Sequence, residues 1–242
     1  SKNGLLNEPK YSLESGFYQK PIEIIINNDN INSKIYYTID GSEPTIHSKL
    51  YNGETLHFDS TTVLKSRAFL DNYIPSEIVT ATYFINEPDA GLPTLSFTSD
   101  EKYFFDDSLG LFKKPHYGWE HPVSIEYFIA NRERAITNRM GVKTHGHGGA
   151  LGEQTSLRFV SKSRYGESEL KYPFFGANGL KTYDKLIIRN SGQDWDAAFL
   201  RDAFVSIIGN YVDNVFGTQY QPVMTYLNGK FWGMYNLRER FD

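Results

Sequence analysis

The densest group of chemistry-bearing residues is His145-Gly146-His147-Gly148-Gly149. Glycine lets backbone N–H groups approach oxygen closely, so Gly146, Gly148 and Gly149 can cradle phosphate oxygens. A plain hairpin turn accounts for the same glycines. His145 and His147 stand two apart and share a face if the segment is a strand, which is the geometry of a zinc pair. With six histidines and no cysteine the sequence shows no third ligand, so a turn holding a satisfied imidazole is the plainer reading. Asp106-Asp107 offers a weak calcium site or simply a solvated acidic loop. Asp194 and Asp196 precede a helical pattern and read as helix capping rather than metal binding.

These residues must be positioned by two regions of different pattern. Residues 1–88 read as short strands separated by turns: Ile22–Ile26, then Lys34–Ile39 closed by Asp40-Gly41, then Thr62–Leu70, then Thr80–Ile85. In Thr62–Leu70, Leu64, Ala68 and Leu70 face one way and Lys65 and Arg67 the other, a strand with one wet face. Evenly spaced short strands predict a β-sandwich. Asn86-Glu87-Pro88-Asp89-Ala90-Gly91 breaks the pattern and marks the boundary, so the expected domains are 1–88 and 89–242. The second region mixes patterns. Val123–Ile129, Val142–Thr144, Ser156–Val160 and Lys185–Arg189 read as strands. Asp196 caps a helix running to about Gly209, with Phe199, Ala203, Ile207 and Tyr211 in one stripe. Val223–Leu227, Asn228-Gly229 and Phe231–Leu237 form a hairpin with a type I′ turn. This is an α+β pattern.

Composition bounds the function. The 242 residues carry a net charge of −4, which supplies no basic field for nucleic acid and no polybasic membrane patch. Without cysteine, disulfides, thiolate metal sites and a cysteine nucleophile are excluded. No apolar run approaches the ~20 residues that span a bilayer. Seventeen Tyr and seventeen Phe favour β structure. The opening Ser1-Lys2-Asn3-Gly4 reads as if an upstream signal or lipoprotein segment had been removed, and the last residues as the middle of an element.

Two resemblances add to this. Ile35-Tyr36-Tyr37-Thr38-Ile39-Asp40-Gly41-Ser42-Glu43-Pro44-Thr45 with Thr61–Ala68 resembles the immunoglobulin-like module at the C-terminus of chitobiases and β-hexosaminidases, over roughly 9–86. Residues 92–242 resemble the CotH (spore coat protein H-like) kinase family through four ordered motifs. These are Leu92–Ser96 with Leu109–Phe112, His145–Gly148 through Ser156-Leu157-Arg158 with Tyr165-Gly166, Arg189–Trp195 with Arg201–Phe204, and Leu227–Glu239. The resemblance implies an immunoglobulin-like β-sandwich followed by an α+β kinase N-lobe-like domain cut at its C-terminus. It implies an atypical Ser/Thr kinase of bacterial secreted or cell-surface proteins using ATP and Mg, with a surface or coat protein as substrate. Its catalytic aspartates are expected beyond Asp242. Cofactor-binding candidates are Gly146, Gly148, Gly149, Arg158, Asp202 and Glu239: Asp202 pairs with Arg158 or merely neighbours Arg201, and Glu239 is a hinge contact or a surface acid. Where many members carry a lysine ahead of the strand, this chain has Thr155, with Arg158 and Lys162 as the nearby cations. That departure implies an impaired kinase or a pseudokinase. The alternative is a non-catalytic surface module contacting protein or glycan; residues 1–88 hold no Trp to support glycan binding.

Overall fold

The computed structural model describes residues 4–146, 154–176, 179–191, 204–205, 208–209 and 218–240. Strand dominates. The first region holds β1 (Lys10–Tyr11), β2 (Gly16–Tyr18), β3 (Ile22–Ile24), β4 (Ile26–Asn27), β5 (Lys34–Thr38), β6 (Lys49–Leu50), β7 (Leu56–Phe58), β8 (Thr62–Phe69) and β9 (Val79–Ile85). A five-stranded sheet in the order β2-β9-β8-β5-β6 lies against the β3-β7 pair. Alternation explains why. Ile22 and Ile24 on β3 and Leu56 and Phe58 on β7 point inward, while Glu23 and His57 point out. They meet Leu64, Ala81 and Tyr83 in one core, as an immunoglobulin-like module requires. The Asp40-Gly41 turn, with Gly41 at φ 87°, leads into an excursion before β6 returns to pair with β5.

The second region contributes α1 (Lys102–Phe105) and seven strands: β10 (Thr94–Thr98), β11 (His121–Phe128), β12 (Arg134–Thr144), β13 (Leu157–Val160), β14 (Lys185–Arg189), β15 (Tyr220–Leu227) and β16 (Lys230–Glu239). They close into a barrel in the order β10-β11-β12-β13-β14-β16-β15, completed by parallel pairing of β15 with β10. Closure removes sheet edges. Inward residues Phe97, Ile125, Met140, Val142, Leu157, Phe159, Ile188, Tyr235 and Leu237 fill the interior, so the barrel is a packed core and not a pore. The Asn228-Gly229 turn has φ of 50° and 77°, the two positive angles of type I′. Of the helix expected up to Gly209, only Phe204, Val205, Ile208 and Gly209 are described, and they are helical. Asp196, Phe199, Ala203, Ile207 and Tyr211 lie outside the described residues. No helix among the described residues is long and apolar enough to cross a membrane.

The face of β8 expected to be wet is wet only in part: Arg67 is half-buried and Lys65 is buried. Lys65 is only 2% exposed, its Nζ donating to the Gly41 carbonyl at 3.1 Å. The barrel covers this face, a long-range contact that a period of two cannot reveal. Thr80 and Thr82 on the neighbouring β9 point the same way and meet Ser96, Ser124 and Glu126 on the outer faces of β10 and β11. Beyond them Phe84, Phe128 and Tyr226 pack edge to face. Both faces of β10 and most of β11 are therefore buried, one in the barrel core and one under the first module.

Candidate functional site

Barrel alternation decides which side chains leave the core at β13. Leu157 and Phe159 point in, so Arg158 points out. Register places Arg158 opposite Lys143 on β12 and Ile187 on β14, and Ile187 opposite Arg238 on β16. On the same faces, His145 and Arg189 come two residues to one side of this row, and Arg240, on antiparallel β16, two residues to the other. All but Lys143 line one surface pocket of about 460 Å³, as does Gly146. Four guanidiniums thus gather in a chain whose net charge is negative.

His145 sits within this field. Its backbone N–H donates to the Ser156 carbonyl at 2.8 Å, extending the β12–β13 ladder. Arg158 Nη2 lies 2.9 Å from His145 Nδ1, so the neutral ring nitrogen accepts from the guanidinium. Burial, followed by Arg158, Arg189, Arg240 and Arg238, pulls the imidazole down to about 4. Gly146, at φ 80°, takes the left-handed conformation that favours glycine. Glu239 is the pocket's one carboxylate among the described lining residues. It is 5% exposed and accepts from the Gln219 backbone N–H at 2.9 Å, which fastens the start of β15.

Of the residues expected from sequence, the structure gathers Gly146, Arg158 and Glu239 here. Gly148, Gly149 and Asp202 lie outside the described residues, as do His147 and Arg201. Lys162 is elsewhere: its Nζ binds Glu120 at 2.7 and 2.8 Å, beside Arg164, which binds the same carboxylate. Thr155 is 3% exposed, its carbonyl accepting from the Tyr235 hydroxyl at 3.3 Å. Asp106 holds its own loop, accepting from the Ser108 and Leu109 backbone N–H groups at 2.8 and 3.2 Å.

Sequence reasoning did not single out His145 as an arginine partner, nor Arg189, Arg238 and Arg240 as one cluster. Their signal is the cross-strand row, invisible until β13, β14 and β16 are paired. Asn190 also emerges as a latch. It accepts from Ser156 Oγ at 2.9 Å and donates Nδ2 to the Gln154 carbonyl, joining the start of β13 to the end of β14. Asn236 on β16 donates to Ser191 Oγ at 2.9 Å, extending that latch one strand further.

A mainly β chain with a sandwich module, a closed barrel and an arginine-rich pocket on the barrel wall is the class defined by these observations. Residues 13–80 match the chitobiase/β-hexosaminidase C-terminal domain family, and residues 142–242 match the CotH kinase protein family. The chain therefore carries a chitobiase/β-hexosaminidase C-terminal-type module followed by a CotH-like region, in the order the motifs gave. Among curated proteins none matches the chain.

Proposed function

We propose that the CotH-like region receives the polyphosphate of ATP in the arginine pocket, as the nucleotide-binding part of an atypical protein kinase of secreted or cell-surface bacterial proteins. The observation that carries this is the convergence of Arg158, Arg189, Arg238 and Arg240 around His145 and Gly146. Guanidinium groups match phosphate oxygens in pairs, and charge-assisted hydrogen bonds are the strong ones. The residues present fit the triphosphate. For magnesium they offer less: among the described residues no three His, Asp or Glu converge, and Glu239 is committed to the Gln219 backbone. A magnesium ion would rest on the phosphates and on residues outside the described set.

We further propose that phosphotransfer is impaired. Thr155 is neutral and buried where a phosphate-holding lysine is expected, and Arg158 leaves the opposite face of the strand. This makes a nucleotide-binding pseudokinase the favoured form of the proposal, with a surface or coat protein as its partner.

The test is a thermal-shift and calorimetric titration of the chain with ATP and pyrophosphate, with and without magnesium. Binding raises stability by RT ln(1 + [L]/Kd). Arg158→Ala is expected to weaken pyrophosphate binding by about tenfold or more, since hydrogen bonds to charged groups contribute ~1.5–3 kcal/mol. Wild-type chain giving no shift with millimolar ATP or pyrophosphate would overturn the proposal.

A further inference from the structure

At the other end of β16 the strand pairing is irregular. Thr225 pairs with Gly233 and Tyr226 with Phe231, so Trp232 is the extra residue of a β-bulge. A bulge re-aims side chains. Phe231 turns to Tyr226, with ring centroids 5.6 Å apart, while Trp232 stacks on Phe112 at 5.1 Å and meets Phe105 edge-on at 5.8 Å. Gly233 in this bulge has φ 134°, a backbone conformation that favours glycine.

Of these rings, Phe105, Phe231 and Trp232 line a groove of about 500 Å³ that the Ile39-Asp40 turn of the first module also lines. Phe105, Phe231 and Ile39 stay 37%, 55% and 55% exposed. Glu101 and Lys230 line the same groove, and neither side chain has a hydrogen-bond or ion-pair partner among the described residues. The groove thus combines aromatic surface with the Glu101 carboxylate, the Lys230 ammonium, the Asp40 carboxylate, one oxygen of which accepts from Ser42, and the Asn228 amide, whose oxygen accepts from the Ser99 N–H.

We propose that this groove binds a neutral oligosaccharide. The occupant follows from its polar complement. An apolar partner or a second copy's apolar patch would bury Glu101 and Lys230 unpaired, at a cost of several kcal/mol. Sugar hydroxyls both donate and accept, so they satisfy a carboxylate and an ammonium together, while the C–H face of a pyranose lies on the electron-rich faces of the rings. The volume is that of a small-ligand cleft, and such clefts favour domain junctions. The arginine pocket differs in chemistry and lies about 20 Å away along β16, six residues at ~3.3 Å each. The groove therefore stands whether or not ATP binds. Residues 1–88 carry no Trp; the platform is assembled across the junction from the second region.

The experiment is titration of the full chain with soluble glucose, mannose and N-acetylglucosamine oligomers of three to six units, read by tryptophan fluorescence and calorimetry, with a proline-rich peptide in parallel. One oligomer series is expected to bind and perturb the tryptophan signal. Trp232→Ala is expected to weaken it about tenfold or more, as aromatic anchors at binding sites do. Because Trp232 also packs on Phe112, the exposed double variant Glu101→Ala/Lys230→Ala supplies a second reading: binding weakened, melting temperature unchanged. The Arg158→Ala variant is expected to bind sugar as wild type does. Absence of binding by every series at millimolar concentration overturns the proposal, as do unaltered affinities in both variants. Peptide binding without sugar binding overturns the assignment to a glycan.

Discussion

His145 concentrates the electrostatics of the arginine pocket into one titrating group. An imidazole held down to about 4 is neutral in the folded chain at every pH where an ordinary histidine begins to charge. The folded state then binds fewer protons than the unfolded state between about pH 6.5 and pH 4. Stability from this group is fully present above that window and is lost as pH falls through it. His145→Asn is expected to flatten this part of the melting-temperature profile between pH 4 and 7. An unchanged slope would show that burial and the guanidiniums do not hold His145 neutral in the folded chain. Bound phosphate would offset their charge and release the Arg158 guanidinium from Nδ1, so pyrophosphate is expected to raise the His145 titration midpoint in a histidine NMR titration. A midpoint unmoved by saturating pyrophosphate would place the anion elsewhere.

Among the elements, the Asp40-Gly41 turn joins the two regions at close quarters. Gly41 has φ 87°, and a Cβ there would meet Asn228 Oδ1 at 2.5 Å and the Ser99 carbonyl at 2.6 Å. Asn228 is itself fixed, accepting from the Ser99 backbone N–H at 2.9 Å. Gly53 is the internal control, with φ 89° and open space around its Cβ position. Gly53→Ala is expected to cost only the left-handed backbone penalty, ~1 kcal/mol. Gly41→Ala adds a clash with backbone and is expected to cost ~3 kcal/mol or more by chemical denaturation. Equal losses would mean that the turn does not bear on the barrel. Local features of this kind were legible: Asp40-Gly41, Asn228-Gly229, Lys185–Arg189 and the alternation of β13 all follow from near neighbours in the chain. What was not legible needs register. Most of β12, the short α1, the bulge at Trp232 and the row Arg158–Ile187–Arg238 depend on which strands pair, and strand pairing joins residues tens of positions apart. The wet face expected for β8 failed at Lys65 for the same reason, because the barrel that covers it is remote in sequence.

At the scale of the whole molecule the junction is polar at its centre and aromatic at its end, and Glu126 is its pivot. Its Oε2 accepts from both the backbone N–H and the hydroxyl of Thr82, at 2.8 and 2.6 Å, so a barrel side chain completes the hydrogen bonding of the first module's β9. Arg134 Nη1 lies 3.5 Å from Oε1 and donates to Ser15 Oγ, reaching the module a second time. Burial raises the Glu126 carboxyl above its ordinary range, against Ser15, Thr82 and Arg134, which favour the anion. A raised acid is protonated more readily in the folded state, so its contribution falls as pH rises from about 4.3, the unfolded value, through the folded value. The groups facing it are Arg134, the hydroxyls of Ser15, Thr82 and Ser96, and more distantly Tyr11 and Tyr83. Glu126→Gln keeps an acceptor for Thr82 without the buried charge, and is expected to change stability by less than ~1 kcal/mol and to remove the pH slope. Glu126→Ala leaves the Thr82 N–H and hydroxyl buried without their acceptor and is expected to cost ~2–3 kcal/mol. Because this seam is buried in both regions, the chain is expected to melt in one calorimetric transition, and Glu126→Ala to split or broaden it. Two separate transitions in the wild-type chain, or equal stability of the Gln and Ala variants, would show that the module is tethered to the barrel rather than locked onto it.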